Sequence, residues 1–306
     1  MFDIITIGSA TLDILVKSSH FSLEPHEKGI SLCQTYGGKM DAEEFLMTSG
    51  GGATNVAVGS SRLGLKSAAV CEIGKDFASQ LIWSDLQKDN VETRFLIAER
   101  LEDTAVSVIL IAQDGGRSAI THRGAAYQLE SRDIPWEDLE DTRWIHLGSL
   151  GGNKQLIFDL MDFTQRHDIG ISWTPSTTDL KVFTSNQLGP EYLQVDVLIL
   201  NKEEWMSLET LHARLADQLS LVVVTDGKKG GEVLVNGKVE HTYTSLDVKT
   251  VEETGAGDSF ASGFLSSMVL GNSLPDCVEW GKKNAASVVQ YLGSKKGLLT
   301  REQIEK

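Results

Sequence analysis

The second half of the chain alternates short apolar strands with helices, and this alternation constrains the fold more strongly than any other feature of the sequence. Helical patterns such as 155–167 and 202–208 lie between the apolar runs, and two longer helices are predicted at 258–270 and 275–292. The apolar runs are residues 144–147, 169–173, 195–200 and 221–225, with an earlier one at 2–7. Strands and helices in this order predict an α/β fold with a doubly wound, mostly parallel sheet.

Two polar stretches, at about residues 15–50 and 91–123, interrupt this alternation. Both contain short strand-like pieces, and the second includes a hairpin signal, where 105–111 leads through a glycine-rich turn into 117–122. We interpret the two stretches as a small β-sheet that projects from the core as a lid, and long surface loops are the alternative. Because the sequence shows neither an internal repeat nor a linker, we predict one domain over 1–306 with the lid segments inserted in it.

Charge and cysteine content exclude several classes of partner. The 306 residues carry a formal net charge of −15, which repels nucleic acid and anionic membranes. The three widely spaced cysteines fit buried free thiols in a reducing compartment better than a disulfide framework. Since the sequence shows neither a secretory signal nor an apolar run of membrane-spanning length, we expect a cytoplasmic protein whose partners are small molecules.

The turn Gly255-Ala256-Gly257-Asp258 indicates chemistry. Apolar residues follow it at helical spacing, so the turn opens a helix and Asp258 lies in the first turn. Unpaired backbone N–H groups and the positive end of the helix dipole converge there, which suits a phosphate. A carboxylate beside such an anion site indicates phosphoryl transfer, in which Asp258 takes a proton from an attacking hydroxyl. An ordinary helix start with a favourable acidic residue is the alternative, and spacing alone does not separate the two.

Further polar residues occur where ligands bind in open α/β sheets. Gly51 and Asn55 belong to a glycine-rich turn before a helix, which suits a polyhydroxylated ligand but also suits a purely structural turn. Asp13 follows the first predicted strand and could accept two hydroxyl hydrogen bonds, or it could be a solvated loop residue. Arg123 ends the lid hairpin, and it either brings a cation toward the site or lies on the surface.

Two more turns follow predicted strands. Asn201 and Glu204 come directly after the strand 195–200, where they could organise a hydrated Mg²⁺ beside phosphates, cap the next helix, or do both. Thr225 and Gly227 begin a lysine- and glycine-rich turn after the next strand. That turn offers backbone donors and local positive charge to nucleotide phosphates, and a plain hairpin turn is the alternative.

In this order, these motifs resemble the PfkB/ribokinase family of carbohydrate and nucleoside kinases over essentially the whole chain. The resemblance implies a ribokinase-like fold with a β-sheet lid, and ATP- and Mg²⁺-dependent phosphorylation of a hydroxyl, usually a primary alcohol, on a sugar, sugar phosphate or nucleoside. The implied roles are Asp258 as catalytic base, Gly255, Ala256 and Gly257 as anion hole, Asp13, Gly51 and Asn55 as acceptor ligands, Asn201 and Glu204 as residues that position Mg²⁺ and phosphates, and Thr225, Gly227 and Asn284 on the nucleotide side.

One position departs from the family's pattern. Glu252 stands where the family commonly has an Asp that helps to hold a monovalent cation near the anion hole, so the longer side chain leaves K⁺ dependence open. The leading hypothesis is an ATP-dependent small-molecule kinase, with the lid as a candidate homodimer surface. A catalytically silent sugar- or nucleoside-binding protein on the same fold is the second hypothesis. A nicotinamide-dependent oxidoreductase ranks last, because residues 8–13 lack the required glycines.

Overall fold

A computed structural model describes residues 1–27, 29–98, 101–185, 187–216 and 218–306 of the chain. In chain order the strands are β1 (Ile4–Ile7), β2 (Thr11–Lys17), β3 (Ser22–His26), β4 (Gly29–Cys33), β5 (Glu44–Gly50), β6 (Ser67–Glu72), β7 (Leu96–Ile97), β8 (Ala105–Ile111), β9 (Arg117–His122), β10 (Trp144–Leu147), β11 (Gly170–Trp173), β12 (Val197–Asn201), β13 (Leu221–Thr225), β14 (Gly231–Val235) and β15 (Lys238–Tyr243). The helices are α1 (Gly52–Arg62), α2 (Phe77–Lys88), α3 (Trp136–Glu140), α4 (Lys154–His167), α5 (Thr177–Thr184), α6 (Lys202–Ser207), α7 (His212–Ala216), α8 (Ala256–Val269), α9 (Leu274–Val288) and α10 (Arg301–Ile304).

A nine-stranded sheet forms the centre of the molecule, in the order β15-β14-β13-β12-β11-β10-β1-β6-β7. Its strands run parallel from β7 to β13, and β14 and β15 extend the sheet as an antiparallel hairpin. Strands β1 and β6 are buried at every position, as expected where helices cover both faces of a parallel sheet. The predicted α/β class and mostly parallel sheet are confirmed.

A separate four-stranded sheet has the order β5-β2-β8-β9. The predicted hairpin of 105–111 and 117–122 is confirmed as β8 and β9. The predicted boundaries differ from the observed ones in two ways. The small sheet begins at Thr11, and β3 and β4 form a two-stranded sheet of their own. Residue 28 of the first predicted segment and residues 99 and 100 of the second lie outside the described residues.

The start of the second predicted lid segment, residues 91–97, does not join the small sheet. Only Leu96–Ile97 is a strand, and it pairs in parallel with β6 at the edge of the main sheet. Residues 91–97 are therefore part of the central layer and not of the small sheet. A run of half-exposed residues fits a short edge strand of the core as well as a lid strand, so alternation could not separate the two.

Helix α8 is packed closely against α1 and α9, because glycines stand at both contacts. A Cβ built on Gly59 of α1 would lie 2.3 Å from Ser262 Oγ, and one built on Gly263 would lie 2.5 Å from the carbonyl oxygen of Trp280. The apolar face of α8, which includes Phe260 and Phe264, packs on β12 and β13 as its spacing predicts. These contacts fix the position of the α8 N-terminus at the end of the sheet.

The cysteines are free thiols, and Cys71 and Cys277 are buried whereas Cys33 is partly exposed. Within the described part of the chain, none of the helices combines the length and the apolar character that crossing a lipid bilayer requires.

Candidate active site

The N-terminus of α8 has the predicted glycine-rich opening, and its two glycines have different structural roles. Gly255 precedes the helix with φ of +78°, and a Cβ at this position would lie 2.4 Å from the Cβ of Ser294. Only glycine fits there without strain. A Cβ built on Gly257 would meet no atom within 4 Å, so the backbone of the first turn faces open space. Gly255 therefore shapes the turn, and Gly257 leaves its backbone accessible.

A cavity of about 300 Å³ lies between this helix start and the carboxyl ends of the parallel strands. Five consecutive strands contribute to its wall through the residues at or just beyond their ends, as expected for a ligand site in an open α/β sheet. The lining residues are Ser9, Gly52, Ser149, Thr174, Pro175, Ser176, Ile199, Leu200, Asn201, Glu204, Thr225, Gly257 and Asp258.

Asp258 lines this cavity and is held by a defined hydrogen-bond chain. Its Oδ2 accepts from Asn55 Nδ2 at 2.8 Å, and Asn55 Oδ1 accepts in turn from Ser294 Oγ at 2.9 Å. Burial raises the pKa of Asp258, whereas the Asn55 hydrogen bond and the charge of Lys295 act in the opposite direction. The result is a carboxylate with increased affinity for a proton in a fixed orientation, which is the property of a general base.

The glycine-rich turn before α1 lies between Asp258 and Asp13. A Cβ on Gly50 would lie 1.9 Å from Asp13 Oδ2, and one on Gly52 would lie 3.6 Å from Asp258 Oδ1. Gly51 between them has φ of +97°, with its Cα hydrogens close to Ser9. The structure therefore brings together Asp13, the turn and Asp258, which belong to three separate motifs of the sequence.

The structure excludes the solvated-loop alternative for Asp13. It lies within β2 of the small sheet and not in a loop after the first strand, and it is 6% exposed. Thr11 Oγ1 donates to Asp13 Oδ1 at 3.1 Å. Burial raises the pKa of Asp13, and the Thr11 hydroxyl and the positive charge of Lys295 oppose that shift. A cation from the far end of the chain is therefore close to this carboxylate, which the local sequence did not indicate.

Asn201 and Glu204 form a capping box at the start of α6. Glu204 N donates to Asn201 Oδ1 and Asn201 N donates to Glu204 Oε2, both at 2.9 Å. Both residues also line the cavity, so the capping interpretation and a place beside a ligand hold together. Burial raises the pKa of Glu204, and the negative charges of Glu203 and Asp258 raise it further.

Thr225 and Gly227 begin the turn between β13 and β14. Thr225 lines the first cavity, and Gly227 starts a single 3₁₀ turn with φ of +51°. A second cavity, of about 560 Å³, begins beside Lys202 and Asp226 and continues past Lys229, Tyr243 and Lys282. Successive residues at the ends of β12 and β13 line different cavities, with Asn201 and Thr225 in the first and Lys202 and Asp226 in the second.

Two of the predicted site residues have other partners in the structure. Arg123 Nη1 donates to the Tyr127 hydroxyl, and the guanidinium lies 4.8 Å from the centre of that ring, so it is directed to Tyr127 and not to the cavity. Asn284 has no exposed surface, its amide donates to Ser259 O and Ser262 Oγ, and its Oδ1 accepts from Leu299 N. A side chain whose hydrogen-bonding groups are all used internally is in no position to contact a nucleotide.

Three residues near the site were missed. Ser294 and Lys295 follow α9 and contact Asn55, Thr54 and Ser49, and no local signal in the sequence points to these contacts. Arg117 is the first residue of β9, the strand that ends just before Arg123. It donates to Glu252 Oε1 at 2.7 Å. The buried Glu252 carboxylate, considered above as a cation ligand, is thus paired with a guanidinium.

This fold and site fit a kinase, a phosphotransferase with an alcohol acceptor, and the family match shows that class. The chain belongs to the pfkB family of carbohydrate kinases, which it matches over residues 1–301. ATP binding follows from that membership, and the predicted resemblance and enzyme class are confirmed.

Individual relatives differ in the substrates that their names state. The chain is 24% identical to the ATP-dependent 6-phosphofructokinase of Thermoanaerobacterium thermosaccharolyticum, over 96% of this chain and 89% of that protein. The crystal structure of adenosine kinase from Sinorhizobium meliloti superposes with a TM-score of 0.78 at 21% identity, covering 97% of both chains. Arabidopsis thaliana ribokinase complexed with ribose and ATP gives a TM-score of 0.74 at 19% identity, covering 99% of this chain and 97% of that one.

Proposed function

We propose that the protein transfers the γ-phosphate of ATP to a hydroxyl, a primary alcohol, of a sugar, sugar phosphate or nucleoside, with Asp258 as the general base. One observation carries this proposal: Asp258 is held by Asn55 in the wall of a cavity, beside the accessible backbone of Gly257 at the start of a 14-residue helix. The turn 255–257 is the anion hole for the transferred phosphate. The second hypothesis, a silent binding protein, gains no support from the kinases that the chain resembles.

The acceptor is proposed to bind between the small sheet and the α8 turn. On the face of the small sheet that carries Asp13, the register aligns it with Thr48, Ser107 and Thr121. A carboxylate in a row of hydroxyls suits a ligand with several hydroxyl groups, and Gly51 and Asn55 complete the acceptor side. The names of the three relatives cover a sugar phosphate, a nucleoside and a sugar, which matches the proposed breadth of acceptor chemistry.

The nucleotide is proposed to run from the first cavity into the second. Thr225 lines the first cavity and Asp226 the second, and Gly227 follows in the same turn. The three lysines of the second cavity, Lys202, Lys229 and Lys282, outnumber its two carboxylates, Asp226 and Glu232, in an otherwise acidic protein. Lysine ammonium groups suit the phosphates of ATP, while Tyr243 and the strand β14 offer an apolar wall to a base. Asn284 is not included, because it is fully buried.

Glu204 fits a Mg²⁺ that is bound mainly through water. Among the described residues, the structure has no cluster of three or more acidic, histidine or cysteine side chains that could form a complete metal cage. A cation there would nevertheless relieve the repulsion between Glu204, Glu203 and Asp258. When bound, Mg²⁺ supplies positive charge to the phosphates. A monovalent cation is not included in the proposal, since Arg117 already pairs with Glu252.

An ADP-release screen over ribose, fructose, adenosine, other nucleosides and sugar phosphates tests the proposal. Gly257→Ala should fold normally, because its Cβ meets no atom, yet it should lower kcat/KM by about 10²-fold because the methyl group occupies the phosphate position. Gly255→Ala is the matched control and should lose stability, since its Cβ clashes with Ser294. Absence of ADP release with every acceptor would refute the proposed activity, and a fully active Gly257→Ala would refute the anion hole.

We also propose that 1–306 is one domain in which the small sheet acts as a lid over the acceptor. Closure would exclude water, which competes with the acceptor hydroxyl for the phosphate. Added acceptor should therefore increase amide-exchange protection in the strands β2, β5, β8 and β9. Unchanged exchange in all four strands would contradict the lid while leaving the kinase proposal intact.

The outer face of the small sheet is proposed to pair with a second copy of the chain. Its aligned rows carry no Asp, Glu, Lys or Arg within the described strands, in a protein of net charge −15. The apolar members are Ile14, Val16, Phe45, Met47, Val108, Leu110 and Ile120. Light scattering should give twice 33.4 kDa for the wild type and 33.4 kDa for a Phe45→Lys, Ile120→Lys variant. Val239→Lys, at an exposed position of β15, is the control, and a monomeric wild type would contradict the proposal.

A further inference from the structure

The buried ammonium group of Lys295 contacts both ends of the glycine-rich turn in the candidate active site. Its Nζ donates to Ser49 Oγ at 2.7 Å and to Thr54 Oγ1 at 2.8 Å, and the residue is 5% exposed. Ser49 lies near the end of β5 and Thr54 lies in the first turn of α1. One side chain from the C-terminal part of the protein therefore bridges the two elements that flank the turn.

These contacts continue to both carboxylates of the site. Thr54 Oγ1 donates to the carbonyl oxygen of Gly50 at 2.7 Å, and Gly50 packs directly against the Asp13 carboxylate. At the other end of the turn, Gly52 lies against Asp258. A displacement of the turn would thus move the surroundings of Asp13 and Asp258 together.

The residue before Lys295 makes a second, parallel connection. Ser294 Oγ donates to Asn55 Oδ1, which leaves the Asn55 amide directed at Asp258. Ser294 also packs against Gly255 at the start of the anion-binding turn. Two consecutive residues of one loop therefore touch the consecutive residues Thr54 and Asn55.

Lys295 also supplies positive charge where negative charge accumulates. Burial lowers the pKa of Lys295 to about 8, so the group is still protonated at neutral pH. Burial raises the pKa of both Asp13 and Asp258, and the charge of Lys295 opposes both shifts. The charged or titratable groups that face Lys295 are Asp13 on β2, Asp85 on α2, Asp89 after α2 and Cys71 on β6, and those that face Asp258 are Lys295, Asp13 and Glu204.

We infer that Lys295 is a positioning residue for the phosphoryl transfer, which clamps the turn 49–54 and stabilises the ionised carboxylates of Asp13 and Asp258 by its positive charge. The catalytic part of this role rests on the proposed function. Lys295 itself does not contact the substrate. Its effect on the reaction passes through the turn and the two carboxylates.

Kinetics at a series of pH values test this role. Removing the cation in Lys295→Met should raise the pKa of the proposed base, Asp258. The acid limb of the plot of kcat/KM against pH should therefore move to higher pH by about one unit. Lys296→Met is the matched control, because it removes the same charge from the exposed neighbouring residue and should leave the limb in place. Lys295→Arg retains the charge and should restore the wild-type limb. An acid limb that is the same in Lys295→Met and Lys296→Met would overturn the inference.

A titration of ¹³C-labelled aspartate by NMR decides the question without substrate. The Asp258 signal, assigned by its loss in Asp258→Asn, should titrate at higher pH in Lys295→Met than in Lys296→Met. If Lys295→Met does not fold, the wild-type protein provides the test. The chemical shift of its Asp258 signal should show a second inflection near pH 8, where Lys295 loses its proton. A single inflection over a pH range in which the Lys295 ammonium group itself loses its proton would overturn the inference. Because this measurement needs no phosphorylation, it separates a failure of the Lys295 role from a failure of the kinase proposal.

Discussion

Replacing Asp258 with asparagine tests the proposed base while changing the shape of the site very little. The Asn55 amide donates to Asp258 Oδ2 at 2.8 Å, and the side-chain oxygen of an asparagine at this position can accept the same bond. What is lost is the ability to take a proton from the acceptor hydroxyl. General-base catalysis typically contributes about 10²–10⁴-fold. We therefore expect kcat to fall by that factor, or by about 3–5 kcal/mol in activation free energy.

Stability and nucleotide affinity should respond differently from kcat. Burial raises the pKa of Asp258, which means that its ionised form is disfavoured in the folded protein. A neutral amide avoids this cost, so the melting temperature of Asp258→Asn should equal or exceed that of the wild type. ATP affinity measured by calorimetry should change little, because the proposed phosphate contacts come from the backbone of the turn.

Asp276→Asn provides the matched control, because Asp276 lies in the first turn of α9 in an exposed position. That variant loses the same interaction with a helix dipole but should keep full activity. Steady-state kinetics at saturating ATP and acceptor supply the comparison. A kcat for Asp258→Asn within about threefold of wild type would remove Asp258 as the base, and an equal loss in Asp276→Asn would point to a general effect on folding.

Three further predictions concern other side chains of the site and core. Glu204→Gln should keep its capping bond to Asn201 but raise the Mg²⁺ concentration needed for half-maximal rate, and an unchanged Mg²⁺ titration would leave Glu204 with a capping role alone. Asp13→Ala should weaken acceptor binding by about 2–4 kcal/mol and leave ATP binding unchanged in calorimetry. Weaker ATP binding with unchanged acceptor binding would instead place Asp13 on the nucleotide side of the site. Burial lowers the pKa of His146 from 6.5 to about 3, so its contribution to stability is present above pH 6.5 and is lost as the pH falls toward 3. Between these values urea unfolding of the wild type should lose about 1.4 kcal/mol per pH unit relative to His146→Gln, and parallel pH profiles would contradict this.

The sequence by itself was sufficient for the central sheet and for the start of α8. Strands such as β1 and β13 are continuous apolar runs, and burial on both faces of a parallel sheet requires that pattern whatever the neighbours are. The opening of α8 was predicted because helix starts depend on a few adjacent residues, here Gly255 and Asp258. These patterns depend on residues within one helix or strand, so they can be recognised in the sequence alone.

The sequence was less informative about the small sheet and about buried polar residues. Strand β2 is only partly buried and begins soon after β1, so the sequence left open whether Asp13 binds a ligand or lies in a solvated loop. Asn284 resembled a binding residue because nothing in its helix shows that Ser259, Ser262 and Leu299 use all of its hydrogen-bonding groups. Whether a polar side chain is exposed or satisfied depends on partners from other elements.

Only the tertiary structure decided how the active-site groups are held. The contacts Asn55–Asp258, Ser294–Asn55 and Lys295–Thr54 join residues that are more than two hundred positions apart in the chain. No periodicity or motif encodes such pairs, because each depends on the packing of α1 against α8 and of the C-terminal loop against both. The sequence thus indicated the chemical class of the site through the turn, the carboxylate and their order among the other motifs, whereas long-range packing determined which groups set the charge and orientation of that carboxylate.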